Sequence, residues 1–158
     1  MLRQIRVGGE ERALAGLDWL AHRLGREGDT PPHLVTGMRG EDAAFFHLRR
    51  KGYTVVARRW SPATQPGDID LIAWKGSLLC FVEVKTRTAH DMTPAEAAVD
   101  DHKRNMLRKL ARAYVRQLPM VLWPAVRFDI LCVYLIPGAE KEFVHYEGAF
   151  GMNEHERD

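Results

Sequence analysis

Four charged residues near the middle of the chain have types and spacing that could form a site for a divalent metal ion. Residues 67–87 read GDIDLIAWKGSLLCFVEVKTR, so Asp68 and Asp70 precede one apolar run, and Glu83 and Lys85 follow the next. Carboxylate oxygens that leave positions open for water suit Mg²⁺ or Mn²⁺.

The sequence between the two apolar runs predicts a hairpin that brings these four residues together. Residues 76–77 are Gly-Ser, and Gly at the first position favours a type II′ turn. The register that follows sets Asp70 against Glu83 and Asp68 against Lys85, and strand alternation puts all four side chains on one face. Directly opposed carboxylates destabilise a strand pair, so they need a cation. The alternative is a solvated edge hairpin with an ordinary ion pair, but the second apolar run suits an interior strand, where unpartnered charges are costly.

Helix and strand patterns alternate along the rest of the chain, which favours an α/β fold with a central sheet. The predicted strands cover residues 53–59, 69–74, 78–86, 128–136 and 142–146. The predicted helices cover residues 40–50 and about 101–118, with a capping-box pattern at 93–96. These elements must position the charged residues.

The first 32 residues read as an attachment to the main domain. An amphipathic pattern over residues 13–24 predicts a helix, and residues 25–32 have the Gly and Pro content of a linker. We expect a helical arm and linker over residues 1–32, an α/β domain over 33–150 and an acidic tail over 151–158. We expect that the arm packs on the domain or is partly mobile; the alternative is that it contacts a partner, so a homodimer is left open.

Composition narrows the class of protein without choosing a partner. The chain has 158 residues, 46% of them hydrophobic, and its formal net charge of +2 is too small to decide what it binds. One globular domain fits this size. No apolar run approaches the roughly 18 residues of a membrane span, and no signal-peptide pattern begins the chain, so we expect a cytoplasmic protein. Cys80 and Cys132 lie in apolar runs and are expected to be buried free thiols.

The motifs resemble those of a known family. Asp70, followed after twelve residues by Glu83, Val84 and Lys85, is similar to the PD-(D/E)XK nuclease signature. A longer set resembles the YraN family of bacterial proteins, which are similar to archaeal Holliday junction resolvases. That set comprises Gly37, Gly40, Glu41, Ala44, Leu48, Gly52, Tyr53, GDIDLIA, FVEVKTR, Lys103, Ala111, Tyr114, RFDIL and EGAF at residues 147–150. The chain departs from the family pattern at Asp68, where Glu is usual, and in its first 32 residues.

The resemblance implies a restriction-endonuclease-like mixed sheet flanked by helices, and a Mg²⁺- or Mn²⁺-dependent deoxyribonuclease with branched DNA as a candidate substrate. Asp70 and Glu83 would hold the metal with the Val84 carbonyl, and Lys85 would serve the attacking water. Glu41 would support the metal. Its alternative role is a favourable interaction with the helix dipole, since a helix is predicted to begin just before it. The alternative functions are a nucleic-acid-binding module that cuts nothing and a scaffold acting through the amino-terminal helix.

Other charged residues are candidates for DNA contact. Lys103 falls near the start of the long predicted helix, within its apolar face, while Arg108 and Arg112 lie on the opposite face. Arg87 ends the strand that carries the catalytic lysine. Each could bind backbone phosphate, although snorkelling explains a lysine at the edge of a core and solvation explains the arginines. Asp129, within RFDIL, is expected to be a structural hydrogen-bonding residue.

Overall fold

A computed structural model describes residues 31–90 and 99–153 and shows a mixed five-stranded sheet with helices on its two faces. The strands are β1 (Thr54–Trp60), β2 (Ile69–Lys75), β3 (Leu78–Arg87), β4 (Val126–Tyr134) and β5 (Glu142–Phe150). The helices are α1 (Pro32–Arg50) and α2 (Asp101–Val115), followed by a short 3₁₀ helix (Met120–Leu122). The spatial order is β1-β2-β3-β4-β5, in which β3 and β4 are parallel and the other neighbours are antiparallel. This is the restriction-endonuclease-like architecture that was predicted.

Two apolar layers hold the helices against the sheet. On one face, α2 places Leu107 and Leu110 in a cluster with Phe81 of β3 and Phe128 of β4. On the other face, a second cluster packs α1 against β2, β3 and β4; its members include Ala44, Leu48, Leu71, Val82 and Leu131. The central strands β3 and β4 are therefore covered on both faces, which explains their nearly continuous apolar sequences.

The predicted strands all form, and the largest difference in a helix boundary is at α1. This helix begins at Pro32, well before the predicted residue 40, and so includes the end of the expected linker. Proline suits the first turn of a helix, because the amide hydrogen it lacks would have no partner there. Gly37 and Gly40 have low helix propensity and so weaken the helical pattern of the sequence before residue 41. In the structure, packing of α1 against the sheet outweighs this low propensity. The predicted helix at 13–24, the capping box at 93–96 and residues 154–158 of the tail lie outside the described residues.

Strand β5 extends four residues beyond its predicted end at Tyr146. Its pairing with β4 shifts register between Phe128 and Ile130, and Gly148 adopts a φ of 63° close to that irregularity. Asp129 of β4 accepts a hydrogen bond from the Gly148 amide at 3.0 Å. The side chain thus supports the irregular pairing, and the strand continues to Phe150. In the part of the chain that the structure describes, no helix has the length and hydropathy needed to cross a membrane.

Candidate active site

The predicted turn and register of the β2–β3 hairpin are confirmed over the body of the two strands. Gly76 has the positive φ of 60° that the turn requires, and the pairing runs from Lys75–Leu78 to Leu71–Val82. The ladder ends there. The expected pairs Asp70–Glu83 and Asp68–Lys85 are therefore not ladder pairs, because the last pair, counted from the turn, is Leu71–Val82.

Asp70 instead reaches the backbone of β3 with its side chain. Its Oδ2 accepts a hydrogen bond of 2.7 Å from the amide of Val84. Burial and the nearby Glu83 carboxylate raise the pKa of Asp70 to about 7, although the Val84 amide acts in the opposite direction. The two carboxylates are thus close enough to repel each other, as predicted, but the contact forms at the end of the hairpin.

Glu83 is a buried carboxylate between two lysines. Its side chain is 4% exposed, and Lys85 Nζ lies 3.0 Å from Oε1 while Lys103 Nζ lies 3.2 Å from Oε2. The Lys85 contact is a hydrogen bond, whereas Oε2 accepts no well-aligned hydrogen bond from the described residues. Lys103 therefore contributes charge at short range without fully satisfying this oxygen. Its ammonium points at a buried carboxylate, so snorkelling to solvent does not explain its position.

Glu41 lies in the middle of α1, which removes the explanation based on the helix dipole. The helix begins at Pro32, and its first turn contains no acidic residue. The side chain of Glu41 is 17% exposed, and its Oε2 accepts a hydrogen bond of 2.5 Å from Nε of Arg59. Arg58 and Arg59 are a basic pair in the sequence, but no local pattern predicts the contact of Arg59 with Glu41 across 18 residues of chain.

A glycine sets the distance between α1 and β3. A Cβ atom added to Gly40 would lie 1.8 Å from Oγ1 of Thr86, which is far inside van der Waals contact. Only glycine lets the helix approach the strand this closely without a shift. Because Glu41 follows directly, this close approach carries its carboxylate to the end of β3.

An open cavity of about 530 Å³ contains the catalytic candidates. We call it the site cavity; its lining residues are Pro32, His33, Thr36, Gly37, Glu41, Asp70, Glu83, Val84, Lys85, Thr86 and Thr88. It therefore brings together all five residues that were predicted to act in metal binding or catalysis. Lys103 contacts this set through Glu83.

The predicted DNA-contact residues fall into two groups. Arg87 is the last residue of β3 and is partly exposed, and Arg112 is exposed on α2, where its Nη2 donates to the Met152 carbonyl at 3.3 Å. Arg108 is different, because it is only 8% exposed and its Nε donates to the Gly151 carbonyl at 2.9 Å. The expectation of a solvated Arg108 is wrong. Its guanidinium fixes the segment after β5 against α2.

Asp129 has the structural role expected of it. It is 1% exposed and accepts hydrogen bonds from Arg127, from the Gly148 amide and, with the appropriate tautomer, from His145. Although burial acts in the opposite direction, these hydrogen bonds lower the pKa of Asp129. The carboxylate is fully used in holding β4 and β5 together. It is not among the residues that line the site cavity.

The oxygen donors of the site cavity fit Mg²⁺ or Mn²⁺ better than a metal that needs a complete protein cage. Within residues 31–90 and 99–153, no three His, Cys, Asp or Glu side chains converge closely enough to hold an ion by themselves. Asp70 and Glu83 supply two carboxylates, one with an unsatisfied buried oxygen and the other with a pKa raised to about 7. A divalent cation would provide a partner for the unsatisfied oxygen of Glu83 and would favour the ionised form of Asp70. Mg²⁺ commonly binds through one or two carboxylates and keeps several waters.

Comparison with known proteins places the chain in a family. Residues 40–133 match the model described as uncharacterised protein family UPF0102. The chain belongs to the UPF0102 family. This is the YraN family that its motifs resemble, and the matched segment includes Glu41, Asp70, Glu83, Lys85 and Lys103.

Individual UPF0102 proteins are similar over most of their length. The protein from Koribacter versatilis (strain Ellin345) is 53% identical over 109 residues, which is 69% of this chain and 75% of the relative. The protein from Solibacter usitatus (strain Ellin6076) is 49% identical over 114 residues, 72% of this chain and 84% of the relative. The one from Rhodococcus opacus (strain B4) is 37% identical over 119 residues, 75% of this chain and 98% of the relative. These relatives bear only the family name, so the chemistry is argued from the site.

Proposed function

We propose that this protein is a divalent-metal-dependent nuclease that hydrolyses DNA phosphodiester bonds. The observation that carries the proposal is Glu83, a carboxylate that is 4% exposed on β3 just past the last β2–β3 pair, in one cavity with Asp70 and with Lys85 at 3.0 Å. Burying two repelling carboxylates is costly for a fold. Such an arrangement is typical of sites where a cation and a reacting group are bound together.

The same observation argues against a module that only binds nucleic acid. Phosphate binding by such modules depends on positive charge, and carboxylates beside the phosphates oppose it. Asp70 and Glu83 would weaken DNA binding unless a cation lay between them and the backbone. The acidic pair therefore supports hydrolysis over simple binding.

The residues of the site cavity have distinct roles in this proposal. Asp70 and Glu83, with the Val84 carbonyl, would hold Mg²⁺ or Mn²⁺, which would supply charge stabilisation to the phosphoryl group. Lys85 would orient or deprotonate the attacking water and stabilise the charge that develops on the phosphate. Glu41 would support the metal directly or through water. By resemblance to related nucleases, the expected products are a 5′-phosphate and a 3′-hydroxyl.

The surface around the site cavity offers positive charge for the DNA backbone. Lys103 reaches the site by its ion pair with Glu83. Arg87 follows Lys85 by two residues and therefore lies on the same side of β3. Arg112 extends the positive surface along α2, whereas Arg108 is used inside the fold. Branched DNA, including four-way junctions, is the substrate form that the family resemblance favours.

Incubation with end-labelled DNA tests the proposal. Linear duplex, nicked, flapped and four-way substrates would each be treated with the protein in Mg²⁺, in Mn²⁺ and in EDTA. We expect metal-dependent cleavage of at least one form, with products that carry a 5′-phosphate. Absence of cleavage of every form with either metal would favour a binding module.

A further inference from the structure

Arg59 has a backbone conformation that arginine rarely adopts. Its φ is 47°, and it is the one non-glycine residue in the described ranges with a positive φ. L side chains are disfavoured there, and such outliers cluster at functional sites, where the surrounding structure maintains them. The conformation therefore prompts the question of what the Arg59 side chain does.

The sheet register places Arg59 at the end of the hairpin that carries the site. The β1–β2 pairs Arg58–Leu71 and Trp60–Ile69 flank it, so Arg59 stands opposite Asp70. Its side chain crosses to α1, where Nε donates to Oε2 of Glu41 at 2.5 Å. Arg59 thus lies beside two of the carboxylates that line the site cavity.

The guanidinium of Arg59 retains donors that the fold does not use. Arginine has five N–H donors, and Glu41 occupies the one on Nε. The two terminal amino groups donate to no other described residue, and the side chain is 46% exposed. Lys85 and Lys103, in contrast, are both directed at the buried Glu83. Of these three cations, Arg59 is the one that can offer paired donors to an incoming anion.

The neighbouring Arg58 has a structural role and serves as a comparison for Arg59. Arg58 forms an ion pair with Asp42 and stacks over the ring of Phe45 at 5.1 Å from its centroid. Both partners belong to α1, and neither lines the site cavity. Arg58 thus anchors the helix to β1, whereas Arg59 is paired with a residue of the site.

We propose that Arg59 binds a backbone phosphate of the DNA at the cleavage site, through its two terminal amino groups, while Glu41 holds the Nε side of the guanidinium. This inference rests on the proposed function and adds a substrate-binding residue to it. Paired N–H donors on a planar cation match two phosphate oxygens, which a lysine cannot do. The hydrogen bond to Glu41 holds the guanidinium in place before DNA arrives, and this lowers the entropic cost of binding.

DNA binding measured in the Lys85→Ala protein tests this role without interference from cleavage. The measurement is the affinity for a labelled duplex in Mg²⁺ as a function of salt, with Arg59→Asn added to the Lys85→Ala protein. Asn tolerates a positive φ better than most residues but cannot reach the phosphate. We expect affinity to fall about tenfold, as for loss of one charge-assisted phosphate contact, and the salt slope to decrease by about 0.9.

Three further variants separate phosphate binding from loss of charge or structure. Lys51→Gln removes one charge from an exposed lysine that lies beside Lys75, at the turn end of the hairpin and away from the site cavity; we expect it to leave affinity within about twofold, since distant exposed charges are screened. Arg59→Lys, which keeps the charge without the paired donors, should bind with intermediate affinity. Arg59→Gly should lose affinity as Arg59→Asn does, and it serves as the test if the Asn variant melts early.

Unchanged affinity and salt slope in both Arg59→Asn and Arg59→Gly would overturn the inference and leave Arg59 as a partner of Glu41 alone. That result is distinct from failure of the proposed function, because failure of the function is seen as absent cleavage by the parent protein.

Discussion

The ammonium group of Lys103 on α2 lies 3.2 Å from Oε2 of Glu83 on β3. Through this contact, the helix on one face of the sheet supplies charge to the carboxylate at the centre of the candidate site. Lys85 approaches the other carboxylate oxygen at 3.0 Å. In the metal-free protein, two ammonium groups therefore offset the negative charge that a divalent cation would neutralise.

The Lys103–Glu83 contact predicts a loss of stability when the ammonium is removed. Lys103→Met keeps most of the side-chain volume but leaves Oε2 of the buried Glu83 without a nearby cation. We expect unfolding free energy in EDTA to fall by about 1–3 kcal/mol, the usual cost of an uncompensated buried polar group. Lys109→Met, at an exposed position of the same helix, is the control. Equal unfolding free energies of the two variants would show that the Lys103 ammonium does not stabilise the buried Glu83 carboxylate.

The raised pKa of Asp70 predicts how metal-free stability depends on pH. Burial and Glu83 move this pKa from 3.8 to about 7, so between these values the folded protein keeps a proton that the unfolded chain has released. Stability should therefore fall as pH rises through this range. Asp70→Asn removes this contribution and keeps an acceptor for the Val84 amide. In EDTA the variant should match the parent near pH 4 and melt several degrees higher near pH 8. A variant that melts lower than the parent at both pH values would make Asp70 a structural partner.

Metal binding should narrow or reverse this difference in melting temperature between Asp70→Asn and the parent. Mg²⁺ added near pH 8 should raise the melting temperature of the parent more than that of Asp70→Asn, because ligand that binds only the folded state stabilises it. The shift will be modest, since Mg²⁺ sites of this kind are completed by substrate phosphates. Mn²⁺ provides a second measurement. Equal shifts in parent and variant would place the metal away from Asp70.

The hairpin was predictable because its turn and its apolar runs fix one register. Residues 76–77 set the pairing, and the structure follows it to Leu71–Val82. The sequence could not show where pairing stops, and so the contact of Asp70 with the Val84 amide was missed. Arg59, which stands opposite Asp70 in β1, has a φ of 47° that its residue type does not predict. Local patterns thus identify the carboxylates and the lysine, but not the partners, distant in sequence, that orient them.

Burial of Arg108 was missed for a related reason. Helical periodicity places it on the polar side of α2, but the segment after β5 covers that position and supplies the Gly151 carbonyl as a partner. A chain segment distant in sequence decides its burial. The early start of α1 also depends on tertiary packing, since Gly40 suits the close contact with Thr86 better than it suits an isolated helix.

Two glycines of α1 form a matched pair for testing that contact. Gly40→Ala would place a methyl group 1.8 Å from Oγ1 of Thr86, so the helix must shift. We expect a loss of about 1–3 kcal/mol in unfolding free energy, as for overpacking, together with loss of the proposed nuclease activity as Glu41 moves. Gly37→Ala meets nothing within 4 Å and should be neutral or stabilising by up to about 1 kcal/mol. The helix–strand approach would be unimportant if both variants melted alike.

The central claim is that Lys85 acts in metal-dependent cleavage of DNA. Its most direct test is single-turnover cleavage of the best labelled substrate by the parent and by Lys85→Ala, each at saturating protein in Mg²⁺. Because Lys85 would act mainly in the transition state, the variant should cleave at least about 100-fold more slowly, the usual contribution of a positioned acid–base group, and bind DNA nearly as well. EDTA should abolish cleavage by the parent. Cleavage by Lys85→Ala at the parent's rate, or cleavage by the parent that persists in EDTA, would contradict the account.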